Sequence, residues 1–151
     1  GTVDCSHIWF DFDNLVNNDP DTDGSIMAQK IEITSLKECF DGTWTANQVP
    51  DLIGIAILDT NDDDIITLEE FCVFCDNYGS PYGFYTEDLT NGDNEVIGGG
   101  NQKDYIFELT FEFMGDAGNV YQADSCTFDL VLKATQNNPP ENPDAILLGG
   151  S

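Results

Sequence analysis

The stretch 105-YIFELTFEFMGDAGNVYQADSCTFDLVLKATQ-136 decides how the rest of the chain is organised. From Tyr105 to Met114, the side chains of Tyr105, Phe107, Leu109, Phe111 and Phe113 alternate with Glu108, Thr110 and Glu112, the period-two pattern of a half-buried strand. A second limb repeats it, with Cys126, Phe128, Leu130, Leu132 and Ala134 on one face and Thr127, Asp129, Lys133 and Thr135 on the other. Between them, Gly115-Asp116-Ala117-Gly118-Asn119 offers residues that tolerate positive φ, so the pattern predicts a long antiparallel hairpin over 105–136. One face of that hairpin is apolar and needs a core supplied by the rest of the chain.

Working outward, residues 1–14 read as an extended segment bearing Ile8, Trp9, Phe10 and Phe12, followed by an acidic loop from Asp11 to Asp23 and a strand through Ile31, Ile33 and Leu36. The sequence predicts a turn at Asp41-Gly42-Thr43 and a buried strand over the apolar run Leu52–Leu58. Leu68, Phe71, Cys72 and Cys75 have the spacing of one short helix, with Thr67 as N-cap and Glu70 completing a capping box. Thr90–Asn94 is a turn signal, Gly98–Gly100 a flexible connection, and 137–151 a Pro-rich tail ending in the apolar run Ala145–Leu148. Many short strands with one helix predict a single all-β domain over 1–151, an antiparallel jelly-roll-like β-sandwich.

The charge balance bounds the partners. Against 29 acidic residues stand four basic ones, a formal net charge of -25, which disfavours nucleic acid and anionic membranes because phosphate binding requires Lys and Arg. Self-repulsion of this size opposes a compact state unless salt or cations screen it. No apolar run has the ~20 residues of a membrane span. No basic, apolar leader opens the sequence, so an exported protein would be represented by its mature form. Cys5, Cys39, Cys72, Cys75 and Cys126 suit an extracellular or hyperthermophile protein. A lone Cys72-x-x-Cys75 lacks the second pair of a zinc site, which favours disulfides.

The sharpest local motif is Asp59-Thr60-Asn61-Asp62-Asp63-Asp64-Ile65-Ile66-Thr67-Leu68-Glu69-Glu70. Numbered as an EF-hand loop, Asp59, Asn61 and Asp63 take ligand positions 1, 3 and 5, the Ile65 carbonyl position 7, Thr67 position 9, and Glu70 the bidentate position 12. Ca²⁺ takes six to eight hard oxygens, which alternate residues of a tight loop supply. Asp64 stands where the sharp turn usually has glycine, a conformation Asp adopts at moderate cost. A partial second loop places Asp19, Asp21 and Asp23 at positions 1, 3 and 5, but Lys30 at position 12 cannot ligate, so Asp11 and Asp13 are the nearest candidates to complete it. Asn91, Asp93 and Glu95 form a weaker acidic cluster. Catalytic motifs are missing: one histidine, His7, no HExxH, no GxSxG elbow and no P-loop, which favours a non-enzymatic protein with no small-molecule substrate.

Gly118-Asn119-Val120-Tyr121-Gln122-Ala123-Asp124-Ser125, followed by the strand ending Lys133-Ala134-Thr135-Gln136, resembles the C-terminal signature of the TasA/camelysin family of secreted fibre proteins, with Ala123 in place of the usual glycine. The resemblance covers the last third of the chain. It implies a secreted jelly-roll subunit that forms homopolymers by donor-strand complementation, as in biofilm fibres, archaeal bundling pili and cannulae. Camelysin is labelled a metalloprotease, but no zinc motif here supports that role. Val3–Phe12 is the preferred donor strand and Ala145–Leu148 the runner-up, the alternatives being a first strand of the chain's own sheet and a frayed tail. The expected function is thus a Ca²⁺-stabilised extracellular filament, pilus or tube subunit, the alternative a monomeric Ca²⁺-binding adhesion or carbohydrate-recognition sandwich.

Overall fold

The computed structural model describes residues 7–40, 42–79, 83–86, 105–135 and 144–148. The Thr90–Asn94 turn, the Gly98–Gly100 connection, the cluster Asn91, Asp93 and Glu95, Val3, Cys5 and most of the Pro-rich tail lie outside these residues. Among the described residues seven strands run in chain order: β1 (His7–Asn18), β2 (Ile31–Phe40), β3 (Thr43–Trp44), β4 (Phe84–Tyr85), β5 (Tyr105–Phe113), β6 (Ser125–Thr135) and β7 (Ile146–Leu147). They form two sheets, ordered β6-β1-β4-β7 and β3-β2-β5. Two helices, α1 (Val49–Leu52) and α2 (Leu68–Phe74), accompany them. Among the described residues no helix is long and apolar enough to cross a membrane.

The sandwich core is aromatic. Phe10 and Phe12 of β1 are fully buried, and Phe10 stacks on Phe107 of the opposing sheet at 3.9 Å between ring centroids. Phe12 meets Phe71 of α2 at 5.0 Å and Phe128 of β6 at 6.2 Å. Helix α2 is held where its sequence requires. The Thr67 side chain accepts from the Glu70 N–H and Glu70 reaches back to Thr67, closing the expected capping box, while Phe71, Cys72, Phe74 and Cys75 enter the core.

Four expectations are corrected. The strands over 105–113 and 125–135 form, but not as a hairpin: β5 pairs antiparallel with β2 and β6 with β1, in different sheets. Their connection contains a 3-10 turn at Asn119–Tyr121 and arches between the layers. The apolar run Leu52–Leu58 is not a strand. Pro50 at the start of α1, Gly54 at φ 82 and the bonds Ile55 N–H to Leu52 O and Leu58 N–H to Ile55 O fold it into successive turns.

The acidic segment from Asp11 is a strand as far as Asn18, since β6 offers Asn18 a partner in Ser125. Its register shifts between Asp13 and Val16, where Asn14 has φ 54. Finally, the C-terminal apolar run is seated rather than frayed: β7 lies parallel to β4 and buries Ile146 and Leu148, the one departure from antiparallel pairing among the described strands. The candidate donor segment, over His7–Phe12, occupies its own chain's sheet between β6 and β4.

Both long outer strands, β5 and β6, are sheet edges on the same side of the sandwich, joined across the layers by a Phe111–Phe128 ring contact at 5.9 Å. Their core-side rows are not sealed. Phe111 is 42% exposed, Phe113 45%, Leu130 40% and Leu132 56%.

Candidate cation sites

The 19–25 segment curls tightly. Thr22 and Gly24 have φ 58 and 87, and the Asp19 carboxylate accepts the N–H groups of Gly24 at 2.8 Å and Asp23 at 3.3 Å. Asp23 turns its own carboxylate to the Ser25 N–H at 2.9 Å. Among the described residues, Asp19, Asp21 and Asp124 bring three carboxylate oxygens within 4.8 Å of one another, a group that could hold a metal ion. Asp124 accepts a bond from the Ser25 hydroxyl through Oδ2, while its Oδ1 is shielded from solvent with no hydrogen-bond partner, so it retains a free lone pair.

Electrostatics at this cluster follows from like charges in contact. Asp19 and Asp21 share a side-chain hydrogen bond, which holds Asp21 above the ordinary carboxylate range and Asp19 below it, assisted by the backbone donors on Asp19. Sequence spacing pointed to Asp19 and Asp21 but missed Asp124, which is brought to them by the pairing of Asn18 with Ser125 and by the Ser25 hydroxyl.

Asp23, Asp11 and Asp13 do not join the cluster. Asp11 and Asp13 sit on β1 beside α2 and the widened turn that follows it. Burial and then the neighbouring Asp13 raise the Asp11 carboxyl, which bonds Cys75. Asp76 is raised by burial and by Asp13.

The 59–70 loop has a different character. Asp62 and Asp64 have φ 55 and 62, so Asp64 adopts the left-handed conformation that position 6 requires. The Ile33 N–H donates to Ile66 O at 2.8 Å and Glu32 bridges to Thr67, fastening the loop to β2. Asp59, Thr67 and Glu70 are buried, whereas Asn61 and Asp63 are exposed. Asn61 Nδ2 donates to Asp63 at 2.9 Å, and the other Asp63 oxygen accepts the Ile65 N–H at 3.0 Å. The Glu70 carboxylate accepts from the N–H groups of Thr60 at 3.1 Å and Thr67 at 3.0 Å. Thus Asp59, Asn61, Asp63, Ile65, Thr67 and Glu70 share one loop, with Glu70 engaged in capping.

Cys39, Cys72, Cys75 and Cys126 are free thiols in this structure. Burial pushes the Cys72 thiol up to about 12 and raises Cys75 further, so both are core side chains with little thiolate at neutral pH. Set beside known protein families, curated proteins and solved structures, the chain matches none.

Proposed function

We propose that this protein is a structural subunit of an extracellular filament or tube, built from copies of itself and stabilised by Ca²⁺. The observation that carries this is the unsealed side of the sandwich, where Phe111, Phe113, Leu130 and Leu132 are each at least 40% exposed on two adjacent edge strands. Long edges with open backbone groups and apolar side chains are a liability in a monomer and a template for association. The strands β5 and β6 have nine and eleven residues, so at about 3.4 Å per residue the open side is roughly 30 Å long or more.

Donor-strand assembly fits the position of β1. Its first half, His7–Asp13, is central, and the chain bends at Asn14 with φ 54. Exchange of that half between copies would bury Phe10 and Phe12 in equivalent surroundings, so the change in contact free energy is small and the cost lies at the hinge. The open β5/β6 side then packs against the neighbour. Ca²⁺ held by Asp19, Asp21 and Asp124 lowers the repulsion between copies that each carry -25.

Electron microscopy and sedimentation with Ca²⁺ and with EDTA test this proposal. Polymers should form with Ca²⁺ and dissolve in chelator. A discrete monomer under both conditions would reject it in favour of a single Ca²⁺-binding adhesion domain. Deletion of residues 1–12 should stop polymerisation, and a peptide of residues 1–13 added in trans should bind the truncated chain. Polymers from the truncated chain would eliminate the N-terminal donor.

A further inference from the structure

We propose that the 59–70 loop is a second cation site, buried and selective for Ca²⁺ over Mg²⁺, with Asp59 as its anchoring ligand. It shares no residue with the Asp19, Asp21 and Asp124 cluster and does not depend on polymerisation. Asp59 is 2% exposed. One of its oxygens, Oδ2, accepts the Gly54 N–H at 3.2 Å. The other, Oδ1, is shielded from solvent and has no donor. An ionised carboxylate taken out of water is sustained only by pairing or by a metal, and Gly54 N–H is the one donor Asp59 has among the described residues.

The surrounding donor set is made of hard oxygens. The Thr60 N–H bond to Glu70 Oε1 places the second buried carboxylate beside the residue that follows Asp59. Asp63, Asn61 and Ile65 follow on the same curled segment, which carries three carboxylates and two neutral oxygens; the three carboxylates do not converge as those of Asp19, Asp21 and Asp124 do, so the loop tightens around the ion on binding. That set suits Ca²⁺, which accepts flexible coordination by six to eight oxygens. Mg²⁺ demands a near-ideal octahedron and gives up water reluctantly. Ligation by Glu70 exchanges its bonds to Thr60 for the ion. Because Glu70 caps α2 and the Ile66 carbonyl is bonded to β2, the ion ties the helix carrying Phe71 and Phe74 to the sheet.

The test uses the full chain stripped with chelator and titrated with CaCl₂ and, separately, MgCl₂, followed by calorimetry and thermal unfolding. Asp59→Asn and Asp63→Ala should each weaken one Ca²⁺-binding event by about tenfold or more and remove its share of the Ca²⁺-dependent rise in Tm. Asp124→Asn should leave that event intact, and Mg²⁺ should raise Tm less than Ca²⁺. Asp63 is exposed, so Asp63→Ala decides the matter if Asp59→Asn does not fold. Wild-type titration behaviour in Asp63→Ala would overturn the proposal, as would the absence from the wild type of any Ca²⁺ event that survives Asp124→Asn.

Discussion

Replacing Phe113 and Leu132 by lysine tests whether the open β5/β6 side is the surface that joins copies. Phe113 is 45% exposed and Leu132 56%. A fully exposed Phe presents ~200 Å², so about 90 Å² of Phe113 remains in water, and covering it at about 25 cal/mol per Å² contributes roughly 2 kcal/mol. Leu132, with about 85 Å² of its side chain in water by the same reasoning, adds roughly 2 kcal/mol. Phe113→Lys with Leu132→Lys should therefore weaken association by ~4 kcal/mol, about three powers of ten in the dissociation constant, before any cost of desolvating the ammonium groups. Lysine keeps an aliphatic stem against the strand and its charge in water, so the monomer should unfold within several degrees of the wild type. The two added cations also reduce the repulsion of a chain at -25, which by itself would favour association. Sedimentation velocity over a concentration series in Ca²⁺, with thermal unfolding of the dilute monomer, reads both quantities. At high salt, where the charge effect is screened, an unchanged dissociation constant would refute the argument.

Three further outcomes follow from local geometry. Thr67→Ala removes the cap that accepts from Glu70 N–H and should cost about 1 kcal/mol of stability in denaturant unfolding. A Cβ at Gly83 would lie 2.5 Å from the buried Cys75 sulfur, so Gly83→Ala should destabilise by about 1–3 kcal/mol, and Cys75→Ala should restore part of the loss in a double-mutant cycle. Asp21 is held above the ordinary carboxylate range by its bond to Asp19. Cation binding at that cluster competes with protonation of Asp21, so affinity should fall as pH drops through the raised Asp21 value, measured by calorimetry at stepped pH. Affinity in Asp124→Asn that equals the wild type would show that the ion lies elsewhere.

What was legible in the sequence follows the range over which each signal acts. Alternation at Tyr105–Phe113 and Ser125–Thr135 is local, so both strands could be read from it. Alternation assigns faces and says nothing of partners, and the antiparallel pairing of β5 with β2 and β6 with β1 is a long-range choice. The run Leu52–Leu58 misled for a related reason. Its side chains suit a buried strand, but Gly54 at φ 82 and Pro50 in α1 set the backbone, and backbone restriction prevailed over composition. The acidic half of β1 carries no strand signal of its own and is extended because β6 pairs with it as far as Asn18.

The cation sites divide along the same line, and the division bears on what each ion does. The candidate ligands of the 59–70 loop lie within one twelve-residue stretch, so spacing alone proposes them. Asp124 reaches Asp19 and Asp21 through the β1/β6 register, which makes that cluster dependent on folding of the edge strand β6. Its carboxylates also have a way to persist without an ion, since Asp21 is exposed to water and Asp19 accepts the Asp23 and Gly24 N–H groups. Asp59 has no such relief: it is buried, with one oxygen lacking any partner. On the two proposals above, an ion in the 59–70 loop would serve the stability of each subunit, whereas one at Asp19, Asp21 and Asp124 would respond to pH and salt and act at the edge proposed to join copies. Chelation at rising stringency should accordingly release subunits from one another before it unfolds them, and unfolding at the same chelator concentration that ends association would contradict this ordering.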